Sequence, residues 1–273
     1  MATPIGNMGD ITLRAIEVLR GADVIACEDT RVTGKLMTRL GLDRPLFSYH
    51  EHNAERAGAQ LLAKLRDGKS VALASDAGTP LVSDPGARLV KACVAEGLAV
   101  TALPGASAVL TALQLSALPA ERWLFAGFLP SKATQRRQAL REVEHVPATL
   151  VFYESPNRLA DSLADMAAVL GGRDAAVARE LTKRHEEVVR GTLFDLANRY
   201  AEAGAPKGEV VVVVGPPLAE ARPGADDLES RLRRAVDGGA SVKDASALVA
   251  AETGHPRRDV YALALKLFRG GTE

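Results

Sequence analysis

The chain has 273 residues, 47% of them apolar, and its 34 basic and 34 acidic residues cancel. That length suits two compact domains and a small third, and with no bulk positive charge any nucleic-acid surface must be local. The two cysteines, Cys27 and Cys93, lack metal-ligand spacing, and no apolar run approaches the roughly 20 residues of a membrane span, so the composition predicts a reduced, cytoplasmic protein with no signal peptide or membrane partner.

Along the first half, strand-like and helix-like patterns alternate. The loop Pro4–Asp10 comes with almost no strand before it, which implies either a stub strand or a translation start further upstream. Ile11–Arg20 carries apolar residues at helical spacing, and Val24–Cys27 is a short buried strand ending in the acidic pair Glu28-Asp29. A helix over Thr33–Leu40 stops at Gly41. Leu46–Tyr49 reads as a strand, Ala54–Arg66 as a helix and Val71–Ala74 as a strand. A helix over Gly86–Glu96, a strand over Leu98–Leu103 and a helix over Ser107–Ala117 complete this half. Buried strands joined by helices predict a parallel sheet covered on both faces.

The second half changes character. Strand candidates are Trp123–Phe128, Leu150–Tyr153, Ala176–Glu180, Val188–Thr192 and Glu209–Val214, a mixture that predicts antiparallel pairs. Pro216-Pro217 and Arg222-Pro223-Gly224 mark a linker. Three helical patterns follow, Asp227–Val236, Ser241–Ala251 and Arg257–Phe268, with a turn at Thr253-Gly254. The expected organisation is an α/β domain over residues 1–119, a second over 120–220 and a helical module over 221–273.

The string SDAGTPLVSDPG, Ser75–Gly86, sits directly behind the strand Val71–Ala74, where open α/β sheets bind ligands. Gly78 admits close backbone approach, Pro80 and Pro85 stiffen the loop, and Asp84-Pro85 reads as a cap and first-turn proline for the next helix. No lysine or Gly-Lys-Ser/Thr sequence is present for a nucleoside triphosphate. An ordinary strand-to-helix turn is the plainer alternative.

Candidates for a general base are Asp29, His50, Glu51, Glu180 and Glu186. Asp29 equally suits a helix N-terminus. Glu154 could accept hydrogen bonds from a ligand or cap the helix after Pro156. His50-Glu51-His52 lacks a third ligand of suitable spacing, so no metal is expected. Lys132, Arg136, Arg137 and Arg141 form a basic run without an acid between Ser131 and Arg141, and Arg179, Lys183, Arg184 and Arg190 a second, partly offset cluster. In the tail, Val242, Ala245, Leu248 and Val249, then Val260, Ala264 and Leu267, make apolar stripes, with Arg257-Arg258 opening the last helix. That pattern reads as a helix-turn-helix or as a three-helix packing module. From Arg222 onward, 9 basic and 8 acidic residues are not the charge of an independent DNA binder.

Eight strings, ATPIGNMGDIT, ACEDTRVTGKL, YHEHN, SDAGTPLVSDPG, PGASA, FAGFLPSK, FYESPNR and ARELTKRHEE, occur in order at similar spacing. Together they resemble the bacterial 16S ribosomal RNA cytidine 2′-O-methyltransferases, a branch of the tetrapyrrole methylase superfamily. The likeness runs from Ala2 to about Gly215 and extends to the helical tail. It departs in the apolar residues that family members carry before ATPIGN, which touches the completeness of the first sheet. The resemblance implies a homodimeric two-domain α/β fold with S-adenosyl-L-methionine in a cleft between the domains, and methyl transfer to the ribose 2′-oxygen of a decoding-region cytidine in 16S ribosomal RNA or the small ribosomal subunit. It also implies cofactor contacts from Asp76, Ala77, Gly78, Thr79, Ala106, Ser107, Tyr153, Ser155 and Pro156, with Lys207, Gly208 and Glu209 near the adenine. In its company Lys132, Arg136, Arg137, Arg141, Lys183, Arg184, Arg257 and Arg258 become RNA-binding candidates. The rivals are a same-fold methylase acting on a tetrapyrrole or other small molecule, and a non-enzymatic nucleic-acid-binding protein built around the tail.

Overall fold

A computed structural model describes residues 1–217, 225–253 and 255–268. The linker string Arg222-Pro223-Gly224 and the turn residue Gly254 fall outside them. The chain divides into two compact units, Met1–Pro217 and Leu218–Glu273.

The first unit holds two sheets. One is parallel, in the order β2 (Leu46–Ser48), β1 (Val24–Cys27), β3 (Val71–Ala74). Its central strand β1 is buried on both faces. Ala26 joins Tyr49, Leu61, Leu89 and Cys93 on one side, from α3 (Ala54–Arg66) and α4 (Ala87–Ala95); Ile25 meets Leu19 and Met37 on the other, from α1 (Leu13–Gly21) and α2 (Thr30–Arg39). Helix α2 begins three residues before the expected start because Asp29 caps it, its side chain accepting from the Arg31 N–H.

The second sheet is mixed, in the order β4 (Trp123–Phe128), β5 (Thr149–Glu154), β8 (Val210–Val214), β6 (Asp174–Arg179), β7 (Glu187–Thr192), with β4 and β5 parallel and the other pairs antiparallel. Side-chain alternation splits its core in two. Val210, Val212 and Val214, with Leu150, Phe152 and Val177, pack with Leu140, Leu163 and Leu196, from α6 (Ala133–Val143), α7 (Leu159–Leu170) and α8 (Leu193–Ala203). Val211 and Val213, with Val151 and Ala176, face Val109, Ala112 and Leu113 of α5 (Ala108–Ser116). Helix α5 thus follows the first sheet in sequence yet closes the second sheet's core.

Two expectations fail. Leu98–Leu103 enters no strand ladder: the Leu98 N–H donates to Cys93 O at 2.9 Å and Leu103 O accepts from the Ala2 N–H at 3.3 Å, while the Met1 ammonium donates to Leu73 O at 2.7 Å. An apolar cleft of about 910 Å³ is lined by Val71–Leu73 on one side and Leu98–Leu103 on the other. Asp84 is also not a helix cap. Helix α4 is capped by Gly86, at φ 135°, where a Cβ would come within 2.7 Å of Leu73 Cδ2; the Asp84 carboxylate is taken by the Ser75 hydroxyl instead.

The second unit is three helices, α9 (Ala225–Asp237), α10 (Val242–Thr253) and α11 (Arg257–Phe268). They share a core of Leu228, Leu232, Ala245, Val249, Val260 and Ala264. No helix among the described residues is long and apolar enough to cross a membrane.

Candidate active site

Three segments meet behind β3. Thr3 and Gly78 exchange backbone hydrogen bonds of 2.9 and 3.0 Å, the Thr3 hydroxyl donates to Ser75 O at 2.9 Å, and the Thr79 hydroxyl donates to Ala106 O at 3.2 Å. Gly78 stands at φ 79°, where a Cβ would lie 3.3 Å from Ile5 Cγ2. The glycine is therefore required twice, for its left-handed backbone and for the space beside it. Both its peptide groups are spent on Thr3, so it shapes the pocket without bonding a ligand. Among the described residues the N–H groups of Ala77, Thr79 and Ala106 have no protein acceptor, and they are the donors this cradle offers. Ser107 is already engaged as the cap of α5, accepting from the Leu110 N–H.

The other wall comes from the second sheet. Tyr153, near the carboxyl end of β5, packs edge-on against Phe125, ring centres 4.8 Å apart. Burial raises its phenol pKa, and the negative charges of Asp84 and Glu209 add to the rise, so Tyr153 lies in the field of both the SDAGTP loop and the entry to β8. Ser155 and Pro156 form the turn into α7. Glu154 lies buried beneath that turn: its carboxylate accepts from the Ser155 N–H at 2.7 Å and the Ser162 hydroxyl at 2.5 Å, and pairs with Arg158. Glu154 holds the turn rather than facing a ligand. Gly208, at φ 92°, packs so closely on Glu180 that a Cβ would fall 2.2 Å from its carboxyl carbon. Glu180 accepts from the Glu209 N–H at 3.1 Å, and Lys207 offers its carbonyl to Arg179.

The carboxylates sort by environment. The Arg31 side chain, bonded to Asp29, holds that carboxyl down to about 2. The Lys183 ammonium at 2.7 Å likewise lowers Glu180. Glu51 pairs with Arg88 at 3.3 Å, and Glu186 accepts from the Thr182 N–H at 2.7 Å. Asp29 and Glu180, held down by their cations, are poorly matched to a base that must trade protons near neutrality. His50 places a buried Nδ1 without a protein partner. Glu28, Asp76 and Asp84 behave differently: burial raises each of them, and the negative charge of Asp76 further raises both Glu28 and Asp84. Glu28 and Asp84 were not among the expected bases. Their position behind strand ends was visible in the sequence; their desolvation was not.

The family description Tetrapyrrole (Corrin/Porphyrin) Methylases matches residues 2–197, and the description RsmI C-terminal HTH domain matches residues 222–268. A protein of Mesorhizobium japonicum named ribosomal RNA small subunit methyltransferase I is 53% identical over 98% of this chain and 90% of its own length. The chain belongs to this methyltransferase family. A protein of the same name from Halalkalibacterium halodurans is 46% identical over 96% of this chain and 92% of its own. Among solved structures, diphthine synthase superposes with a TM-score of 0.61 at 16% identity, covering 78% of this chain and 87% of its own. Uroporphyrin-III C-methyltransferase from Thermus thermophilus, complexed with S-adenosylhomocysteine, gives 0.53 at 20%, covering 78% and 94%. Both share the tetrapyrrole methylase fold.

Within this family member the basic candidates divide. Arg136 is only 5% exposed and its guanidinium is bound to Asp165 at 2.6 Å, with a further bond to Ser131 O. It pins α6 to α7 and cannot reach RNA. Arg137 shares the same carboxylate at 2.5 Å while remaining half exposed. Lys183 bridges Glu180 and Glu209 at 2.7 and 2.8 Å, a structural tie rather than an open cation. Lys132, Arg141 and Arg184 are exposed, as are Arg257 and Arg258 at the start of α11.

Proposed function

We propose that the protein transfers the methyl group of S-adenosylmethionine to the ribose 2′-oxygen of a decoding-region cytidine in 16S ribosomal RNA, acting in the cytoplasm as a homodimer. The near full-length relative at 53% identity, named as a small-subunit ribosomal RNA methyltransferase, carries the reading. The cradle suits the cofactor: two glycines with left-handed backbone where a Cβ would crowd Ile5 or Glu180, open N–H donors at Ala77, Thr79 and Ala106, and the partly buried Tyr153 ring of the second sheet. When bound, S-adenosylmethionine supplies an electrophilic methyl on a sulfonium. Loops tied by the Thr3–Gly78 and Thr79–Ala106 bonds would hold it in fixed register, and orientation of this kind contributes roughly 7–11 kcal/mol to a transfer.

Asp84 is assigned the proton of the attacking hydroxyl. It borders the cradle, its carboxyl is raised by burial despite the Ser75 hydrogen bond, and its charge is felt at Tyr153. Lys132, Arg141 and Arg184, with Arg257 and Arg258, would neutralise phosphates and make binding salt-sensitive. The small-molecule alternative is less favoured because a planar ring substrate has no use for these separated cations or for the helical tail.

The test is transfer from labelled S-adenosylmethionine to small ribosomal subunits lacking the modification, followed by nucleoside mass analysis. Methyl on a cytidine ribose is expected. A labelled base, or no label on any ribosomal RNA, would overturn the reading. Asp84→Asn should lower kcat by about 10²-fold or more while leaving cofactor affinity intact.

A further inference from the structure

Strand β4 ends in a break of period that the reaction as described leaves without a purpose. Phe125 and Phe128 are three residues apart, so on a regular strand they would point to opposite faces. The β4–β5 register shifts between them, and Gly127 within the shift takes φ 67°. An extra residue of this kind re-aims the side chain after it. Both rings therefore fall against Tyr153, Phe125 at 4.8 Å and Phe128 at 5.4 Å between centres. Phe125 and Tyr153 are partly covered by the core around α5, whereas Phe128 is 57% exposed. Gly127 lies beside the SDAGTP loop, its Cβ position 3.9 Å from Ser83 Oγ.

We propose that Phe128, backed by Tyr153, is the platform on which the nucleobase of the acceptor nucleotide stacks. This rests on the RNA methyltransferase reading and adds to it how the acceptor is held. The geometry of a nucleoside supplies the occupant. The base is bonded to C1′, next to the C2′ that carries the reacting oxygen, so a hydroxyl held at Asp84 brings its base within one sugar's width. Asp84 is the residue after Ser83, and its charge bears on Tyr153. A half-exposed ring that ends an aromatic cluster offers a π-face to a splayed base, the ordinary way proteins grip unpaired RNA. Lys132, four residues on and exposed at the cap of α6, supplies positive charge for the adjoining phosphate. Phe128 makes no bond to reacting atoms and acts as a positioning residue.

The test compares Phe128→Ala, Phe128→Leu and Phe128→Trp in the full chain, reading KM for small ribosomal subunits, kcat, the Kd for S-adenosylhomocysteine and Tm. Loss of one stacked base should raise KM or lower kcat/KM by roughly 5- to 150-fold in the Ala and Leu variants. Affinity for S-adenosylhomocysteine and Tm should stay at wild-type values, and Trp should restore activity. A Leu variant equal to wild type would show that only apolar cover is needed and would overturn the proposal. So would an Ala variant that weakens S-adenosylhomocysteine binding in parallel, since the ring would then serve the cofactor. A short RNA carrying pyrrolocytidine separates this proposal from the reading beneath it. Fluorescence quenching that depends on Phe128, in a wild-type protein that methylates no ribose, would keep the platform and remove the reaction. Absence of both would remove both.

Discussion

Asp165 satisfies two guanidinium groups, and its removal would leave Arg136 charged and buried beneath α6. Asp165→Ala should therefore cost about 3–5 kcal/mol in urea denaturation, whereas the paired change Arg136→Met with Asp165→Leu should cost far less. Charge reversal at Arg136 would read out as instability, so lost RNA binding in that variant would say nothing about contact. Asp84 supports a different prediction. Its folded carboxyl is raised above the ordinary 3.8, so between those two values the folded chain keeps a proton that the unfolded chain has released. Stability falls as pH rises through that window. Asp84→Asn removes the loss: the variant should melt above wild type at pH 7 and level with it below the ordinary carboxylate range. Thermal melts across pH check this, and a variant less stable than wild type at pH 7 would contradict the burial argument.

The elements around the site depend on positions where only glycine fits. Gly78→Ala places a side chain at φ 79° and against Ile5, which should cost about 1–2 kcal/mol of stability. Displacing the neighbouring N–H groups should weaken S-adenosylhomocysteine binding roughly tenfold; calorimetric titration beside a denaturation curve reads both. A valine there would disturb the fold as well, because a β-branched residue tolerates that backbone poorly. Much of the architecture was legible from pattern. Val210–Val214 reads as a buried strand whatever its partners, and α5 ends within a residue of the expected Ala117. Distance in space was not legible. Nothing local distinguishes Arg136 from Arg141, five residues further along α6, until α7 brings Asp165 across. Nor could spacing tell that Asp84 leaves the helix cap to Gly86 and takes the Ser75 hydroxyl, or that a register shift turns Phe128 toward Tyr153. Leu98–Leu103 has the composition of a strand, but a strand also needs a ladder partner, and among the described residues none pairs with it.

At the scale of the whole molecule, each compact unit carries its own apolar core. A chain ending at Pro217 should fold and bind S-adenosylhomocysteine as the full chain does, since the cradle lies wholly within the first unit. Its KM for small subunits should rise if Arg257 and Arg258 contribute to docking, and equal KM values would remove the tail from RNA recognition. Helix α5 precedes every strand of the second sheet in the chain, yet its apolar face is covered by Val151, Ala176, Val211 and Val213. During synthesis that face waits exposed until the last of them has been made, so chains arrested before Val210 should be held by chaperones and chains reaching Pro217 should not.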